Sequence, residues 1–241
     1  QVKAMKFRLL TADEIDCRVS ICNQWGVGLL LYKDARCDQN ILDETVGAMN
    51  WQRHHTRDNA NCIVSIWDDG KKQWIEKEDT GTESNTEKEK GLASDSFKRA
   101  CFNWGIGREL YTAPNMFVSK KDLKSLEEVE VYGGKKKWTT KDTFTVQEIE
   151  YLEGKIVYVK VLNNSTKGII EFGQPANVQA EQKQIEKATI SDIKVKALQI
   201  RCEKEGVEPD KILKLYKVAS FADLTEKQYA NINEHWEKIK G

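Results

Sequence analysis

The stretch Asp79–Tyr111, DTGTESNTEKEKGLASDSFKRACFNWGIGRELY, constrains the fold more than any other part of the chain. It runs from an acidic strand end through a polar turn into one long helix, and it closes on glycines. Thr86 and Glu89 have the Thr-x-x-Glu spacing of a capping box, in which each side chain satisfies a free backbone donor of the first turn. At about 100° per residue, Ala93, Phe97, Ala100, Cys101 and Trp104 gather on one face. Lys98 falls at its flank, while Lys88, Asp95 and Arg99 point away. Gly105 and Gly107 are placed to end the helix, because glycine accepts the left-handed backbone that a C-cap often needs. Such a helix sets Lys98 and Arg99 at an exposed edge, where two cations can lie beside a phosphate backbone. Lys-Arg pairs are common on solvated surfaces, so the pair alone assigns no function.

The rest of the chain supplies strands and shorter helices. Thr11 and Glu14 repeat the capping-box spacing and predict a helix through Ile15, Val19 and Cys22. Val27-Gly28-Leu29-Leu30-Leu31-Tyr32 predicts a short, fully buried strand. Gly26-Val27-Gly28 precedes that strand instead of following one and has no P-loop lysine, so it is not a nucleotide loop. A helix is expected over Ala35–Val46, then strands over Trp51–Arg57, Cys62–Trp67 and Gln73–Glu78, the last two joined by an Asp69-Gly70 turn. Beyond the long helix, Pro114–Ser119 reads as extended and Lys120–Glu128 as a polar connection. Phe144–Tyr151 and Lys155–Leu162 flank Glu153-Gly154 as a hairpin, and Gly168–Phe172 adds a third strand. Lys135-Lys136-Lys137-Trp138 could make phosphate and stacking contacts, but after Gly133-Gly134 it reads better as a solvated loop tip. From Gln174 to Lys187 the chain is polar and Gln-rich, a linker or a solvated helix. Residues 189–241 predict a helical module: Ile193, Ala197 and Ile200 space one helix, and Pro209 opens a second with Ile212, Leu213 and Tyr216. Thr225 with Gln228 caps a third, carrying Tyr229, Ile232, Trp236 and Ile239. The expected organisation is therefore an α+β domain over 1–173, a polar linker over 174–188 and a helical C-terminal module over 189–241.

Composition narrows the function classes. The chain has 241 residues, of which 32% are charged, and a mean hydropathy of −0.63; it has no apolar run long enough to cross a bilayer, so no membrane partner is expected. No signal peptide opens it, and its first residue is Gln, which leaves the natural start open. Formal net charge is zero, unlike a generic, salt-driven nucleic-acid binder; any such site must be a local stripe made by folding or assembly. The six cysteines form no Cys-x-x-Cys and no Cys/His cluster, as expected of reduced, mostly buried thiols in a cytoplasmic protein. His54 and His55 sit in an alternating strand, so their rings face opposite sides and cannot share one ion. No His-Glu-x-x-His, Walker lysine, Gly-x-Ser-x-Gly or local pairing of nucleophile and base is present. Neither cofactor nor metal is expected.

Two ordered blocks carry a resemblance to a known family. Ser94-Asp95-Ser96-Phe97-Lys98-Arg99-Ala100 followed by Trp104-Gly105-Ile106-Gly107-Arg108 resembles the signature helix of the Rad fifty-two type single-strand annealing proteins, most closely the phage Sak-like recombinases. Tyr32-Lys33-Asp34-Ala35-Arg36, with Asn40, Leu42-Asp43-Glu44, Gly47 and Asn50-Trp51-Gln52, resembles the family's other familiar segment. The resemblance covers roughly Leu10–Pro114, with the Asp69-Gly70 hairpin between the blocks in the family's order. It implies a β-β-β-α core, ATP-independent binding of single-stranded DNA, annealing of complementary strands in recombination and repair, no enzymatic activity, and assembly into homo-oligomeric rings. Carried over by motif, Lys98 and Arg99 are expected backbone contacts and Arg36 a third; in eukaryotic relatives that basic residue falls one place later, where this chain has Cys37. Two alternatives remain open from the residues: a protein that protects single strands without annealing them, and a metal-dependent nuclease. The C-terminal module is expected either to recruit a host or phage single-strand binding protein, near Tyr216, Tyr229 and Trp236, or to brace the assembly. If the chain is phage-encoded, its expected location is the host cytoplasm.

Overall fold

The computed structural model describes residues 5–82, 88–131 and 133–241, without side chains at 88–90, 183 and 185–187. The chain divides into two compact units, Gln1–Pro175 and Ala176–Gly241. Helices and small antiparallel sheets are both abundant, which makes the class α+β.

The first unit begins with a 3-10 turn at Ala12–Glu14, strands β1 (Asp16–Asn23) and β2 (Gly26–Tyr32), and helix α1 (Ala35–Val46). A meander of β3 (Trp51–Thr56), β4 (Asn61–Asp68) and β5 (Gln73–Thr80) leads into helix α2 (Lys88–Trp104). A 3-10 turn at Arg108–Thr112 precedes β6 (Phe117–Ser119) and the hairpin β7 (Glu127–Val131) and β8 (Lys135–Thr139). Strands β9 (Phe144–Leu152), β10 (Lys155–Asn163) and β11 (Ile169–Gly173) complete it. The sheets are ordered β1-β2-β6, β3-β4-β5, β9-β10-β11 and β7-β8.

The β-β-β-α run follows from matched periods. β4 turns Cys62, Val64 and Ile66 inward at every second residue, and α2 lays fully buried Phe97, Ala100 and Cys101 over them. Burying one such phenylalanine contributes about 1.5–3 kcal/mol. Trp51 stacks on Phe97 with centroids 6.1 Å apart, and Trp104 donates its indole N–H to the Val64 carbonyl at 3.0 Å. Gly81 lets α2 approach the end of β5, since a Cβ there would stand 2.5 Å from the Ser96 amide nitrogen. The β3–β4 turn places Arg57, Asp58 and Asn59 consecutively at φ of 52°, 51° and 69°. Ser96, buried in α2, donates its hydroxyl to the Asn59 carbonyl at 3.0 Å.

Several expectations are corrected. The Thr11–Glu14 capping box forms, yet it opens only the 3-10 turn, and Ile15–Cys22 is not helical. Cys17 and Val19 alternate with exposed Arg18 and Ser20, a bulge then turns Ile21 outward, and pairing with β2 gives the β-branched Val19 and Ile21 a better place than a helix would. β2 is not buried on both faces: Val27, Leu29 and Leu31 are inside, while Leu30 and Tyr32 are exposed. Lys135–Trp138 is not a loop tip but strand β8, with Lys136 paired to Glu128 at 3.1 Å. Thr86 of the second capping box, and the direction of Lys88, lie outside the described residues and side chains.

The second unit contains α3 (Ala176–Lys187), α4 (Asp192–Glu205), α5 (Pro209–Tyr216), α6 (Glu226–Glu234) and α7 (Trp236–Lys240). Its core is Leu198, Cys202, Ile212, Phe221, Leu224, Ile232, Trp236 and Ile239 among others. In α4 the buried stripe is Leu198 and Cys202, and the expected Ile193 and Ile200 are 80% and 61% exposed. Of the residues expected beside a partner groove, Trp236 is core, its indole N–H donated to Glu205 at 2.9 Å. All six cysteines carry free thiols, with Cys37, Cys62, Cys101 and Cys202 buried.

One buried ion pair, within the block of residues 32–52, reaches the block of residues 94–108 through its lysine. Lys33 donates to both carboxylate oxygens of Asp38 in α1, and both side chains are essentially without solvent contact. The Lys33 ammonium also lies 4.9 Å from the Phe102 ring centroid. Nearer the surface, Arg8 bridges Glu14 at 2.7 Å and Glu44, in α1, at 2.6 Å. The Arg8 guanidinium and the Thr11 backbone hold the Glu14 carboxyl down to about 2 from its ordinary 4.5. A carboxyl whose folded value is depressed adds stability above its unfolded value and loses it as pH falls toward the folded one. Arg8→Ala should therefore lower the urea midpoint at pH 6, and the gap to the parent should narrow as pH falls from about 4.5 toward 2. A gap of constant size across that window would contradict the assignment.

Candidate functional site

Two of the grooves that border α2 hold the residues singled out by the sequence. The first, of about 200 Å³, is lined by Arg18 from β1, Tyr32 from β2, Lys98, Arg99 and Phe102 from α2, and Tyr111 beyond it. Each element delivers its residue for a local reason. β2 alternates, so Leu31 goes inward and Tyr32 outward. α2 buries Phe97, Ala100 and Cys101, which turns Lys98, Arg99 and Phe102 toward the groove. The glycines then swing the chain back: Gly105 and Gly107 have φ of 103° and 76°, and Tyr111 returns to meet Phe102 edge-on at 5.4 Å. Arg108 donates to the carbonyls of Phe102 and Asn103, and Lys77 donates to that of Asn103 at 2.7 Å; both cations thereby cap the negative end of the helix.

The electrostatics of this groove are uneven. Lys98 forms no ion pair with a described residue. Arg99 is half-buried, its Nε 3.6 Å from Asp79 and without a hydrogen-bond partner among the described residues. It does not point freely into solvent, as the helical projection had it. Arg18 holds its guanidinium 5.6 Å from the centroid of the Tyr32 ring, and Tyr111 is 75% exposed. The Asp95 carboxylate in the lining is engaged by the Thr82 amide at 2.8 Å and hydroxyl at 3.1 Å. Cations and exposed ring faces thus converge from residues 18, 32, 98, 99 and 111.

Arg36 borders the second groove, of about 540 Å³, with Asp34, Gln39, Arg53 and His55. Asp34 caps α1 by accepting from the Arg36 amide at 2.7 Å, and the Arg36 guanidinium folds back onto the same carboxylate at 3.0 Å. Arg36, with a smaller contribution from Lys98, holds the Asp34 carboxyl down to about 2. Lys98 and Arg99 therefore share one groove, while Arg36 sits on the other, with Asp34 in electrostatic reach of both. Arg53 rests over the Phe97 ring at 4.8 Å. Burial and the neighbouring Arg53 push the His55 imidazole down.

Ser96 Oγ lies 3.4 Å from His55 Nδ1, but that serine is fully buried and donates to the carbonyls of Asn59 and Ala93. A nucleophile there could reach no substrate, and the contact braces the β3–β4 turn. Among the described residues, no group of three or more His, Cys, Asp or Glu gathers to hold a metal ion, and no helix is long and apolar enough to cross a membrane. Sequence reasoning missed Arg18, Arg53, Tyr32 and Tyr111 as groove residues. The visible signal was the alternation of β2, which exposes Tyr32; Arg18 was hidden by the helical reading of its segment. Comparison with family models, curated proteins and solved structures gives no match.

Gly107 sets the geometry of the first groove, because a Cβ there would lie 2.2 Å from Lys33 Cε. Gly105 has open space around the corresponding position. Gly105→Ala should therefore cost only backbone strain, about 1–2 kcal/mol. Gly107→Ala adds displacement of a buried lysine and should cost several kcal/mol, on the order of breaking a buried pair. Urea unfolding of the two variants checks this; equal losses would mean that Lys33 adapts freely.

Proposed function

We propose that the protein binds single-stranded DNA without ATP and anneals complementary strands, as a non-enzymatic recombination and repair protein of phage type acting in the host cytoplasm. The observation that carries this reading is the convergence of Lys98, Arg99 and Arg18 with the exposed rings of Tyr32 and Tyr111 in one groove. Cations along a strand neutralise phosphates without reading sequence. Aromatic faces accept any base. The resemblance of residues 94–108 and 32–52 to the single-strand annealing family supports the same conclusion, as does the contact between those two blocks through the Lys33 ammonium and the Phe102 ring.

A second reading has one observation in its favour. Bases stacked on Tyr32 and Tyr111 would be held on the protein and not displayed to a partner strand, which suits a protein that protects single strands without pairing them. A strand-pairing assay with complementary oligonucleotides separates the two.

Replacing Lys98 and Arg99 together with Ala should weaken DNA binding and flatten its dependence on salt. Two lost phosphate contacts should reduce the slope of log K against log salt by about 1.4 for single strands. A double variant that folds, binds and anneals like the parent would end the proposal.

Assembly belongs to the same reading. One neutral subunit offers few cations, so useful affinity comes from many sites on one strand. The outer face of the β1-β2-β6 sheet supports self-association. Ile21 and Phe117 flank Gly28 on neighbouring strands, Leu30 lies two residues further on, and Trp25 stands at the turn; all four large side chains are exposed. Contiguous apolar surface of this kind marks an interaction site. Light scattering should find a large homo-oligomer, and Leu30→Ser with Trp25→Ser should shift it toward monomer. A parent that is monomeric even with long single-stranded DNA would refute this part.

A further inference from the structure

The second unit carries a groove for which the DNA-binding reading has no use. It has a volume of about 460 Å³, lies between α5 and α6–α7, and is lined by Lys211, Leu215, Tyr216, Asn231, His235, Lys238 and Ile239. Leu215 is 60% exposed, although its neighbour Ile212 is fully buried in the core. The Tyr216 hydroxyl is committed to Asn231 Oδ1 at 2.6 Å, which fixes its ring as a wall of the groove. No Asp or Glu lines it. Elsewhere the unit interlaces its charges, with Lys194 on Glu226 and both Arg201 and Lys240 on Glu205. Lys211 and Lys238, by contrast, form no ion pair with a described residue. The result is an apolar floor between two uncompensated ammonium groups.

We propose that this groove takes an acidic peptide segment of a protein partner, anchored by one apolar side chain. The anchor lies on Leu215, Tyr216 and Ile239, and flanking carboxylates meet Lys211 and Lys238. Rim ion pairs contribute little each, so the anchor carries the affinity while the two lysines select an acidic sequence. A phosphate backbone would leave the apolar floor unused, and a neutral apolar segment would leave both lysines unpaired. Charge complementarity thus favours the acidic peptide over either.

The test uses the full chain and a short fluorescein-labelled peptide with four Asp residues around a single Leu, followed by anisotropy. Saturable binding is expected, and a peptide with that Leu replaced by Ser should bind about tenfold or more weakly. On the protein, Leu215→Ser and the pair Lys211→Glu with Lys238→Glu should each weaken the Leu peptide by a similar factor. Both sites are exposed, so circular dichroism should remain that of the parent, and single-stranded DNA binding should be unchanged. Equal affinity for the Leu and Ser peptides would overturn the proposal, and that comparison needs no variant. A fall in DNA binding in the Lys variants would assign the groove to nucleic acid instead. A change in oligomer size, with no peptide bound, would assign it to a second copy of the chain. Because DNA binding is read separately, failure here is distinguishable from failure of the annealing reading.

Discussion

Lys33 and Asp38 carry opposite charges into a place where neither meets water, and the geometry around α2 depends on their doing so. Removing two ions from water costs several kcal/mol each, which only close, well-directed contact repays. Lys33 meets that demand by donating to both oxygens of Asp38 and resting against the Phe102 ring. Burial pushes the Asp38 carboxyl up, a sign of how little solvent reaches it. The residues on either side of Lys33 then have their positions chosen for them. Tyr32 goes outward into one groove, Asp34 caps α1, and Arg36 goes outward at the other groove. The turn after α2 is fitted to the same lysine, since a Cβ at Gly107 would have to displace its side chain.

The zero net charge is distributed by interleaving. Arg36 is matched by Asp34, Arg99 is drawn to Asp79, and Lys136 is set on Glu128. Exposed pairs of this kind are worth little to folding. They matter because an incoming anion must compete with a carboxylate already present. Lys98, without such a partner among the described residues, presents the least contested charge of the three residues that the family resemblance singled out. Binding at Arg36 would be an exchange of one anion for another, whereas at Lys98 only the more distant Asp34 and Asp38 carboxylates would oppose it.

Legibility in the sequence followed the range of the interaction. Helix α1 has the expected limits, and the meander, the hairpin of β9 and β10, and the glycine ending of α2 lie within a residue or two of their expected places, because each rests on local periodicity or turn chemistry. The reading failed where a local signal was correct but overruled. Thr11 and Glu14 do form their capping box, but Glu14 also serves Arg8, and the β-branched residues beyond it pair with β2. In α4, Ile193 and Ile200 have helical spacing on the wrong side of Leu198 and Cys202; two apolar stripes competed, and packing chose the other. The candidate site was half legible. Lys98 and Arg99 came from one helix, whereas Arg18 and Tyr111 reach the same groove from positions that no local pattern connects.

The β3–β4 turn has a consequence for the order in which the chain folds. Three successive non-glycine residues in left-handed conformation each cost about 1–2 kcal/mol, so the hairpin lacks a self-sufficient nucleus. The turn keeps one backbone bond of its own, from the Ala60 N–H to the Arg57 carbonyl at 3.0 Å, and is tied down from outside by Ser96, which lies far along the chain in α2. The hairpin and the docking of that helix are therefore one kinetic event, with the loop between β5 and α2 closed before the turn becomes favourable. In φ-value terms, the Asn59 region should mature together with the middle of α2, after the β4–β5 pairing has formed and not ahead of it.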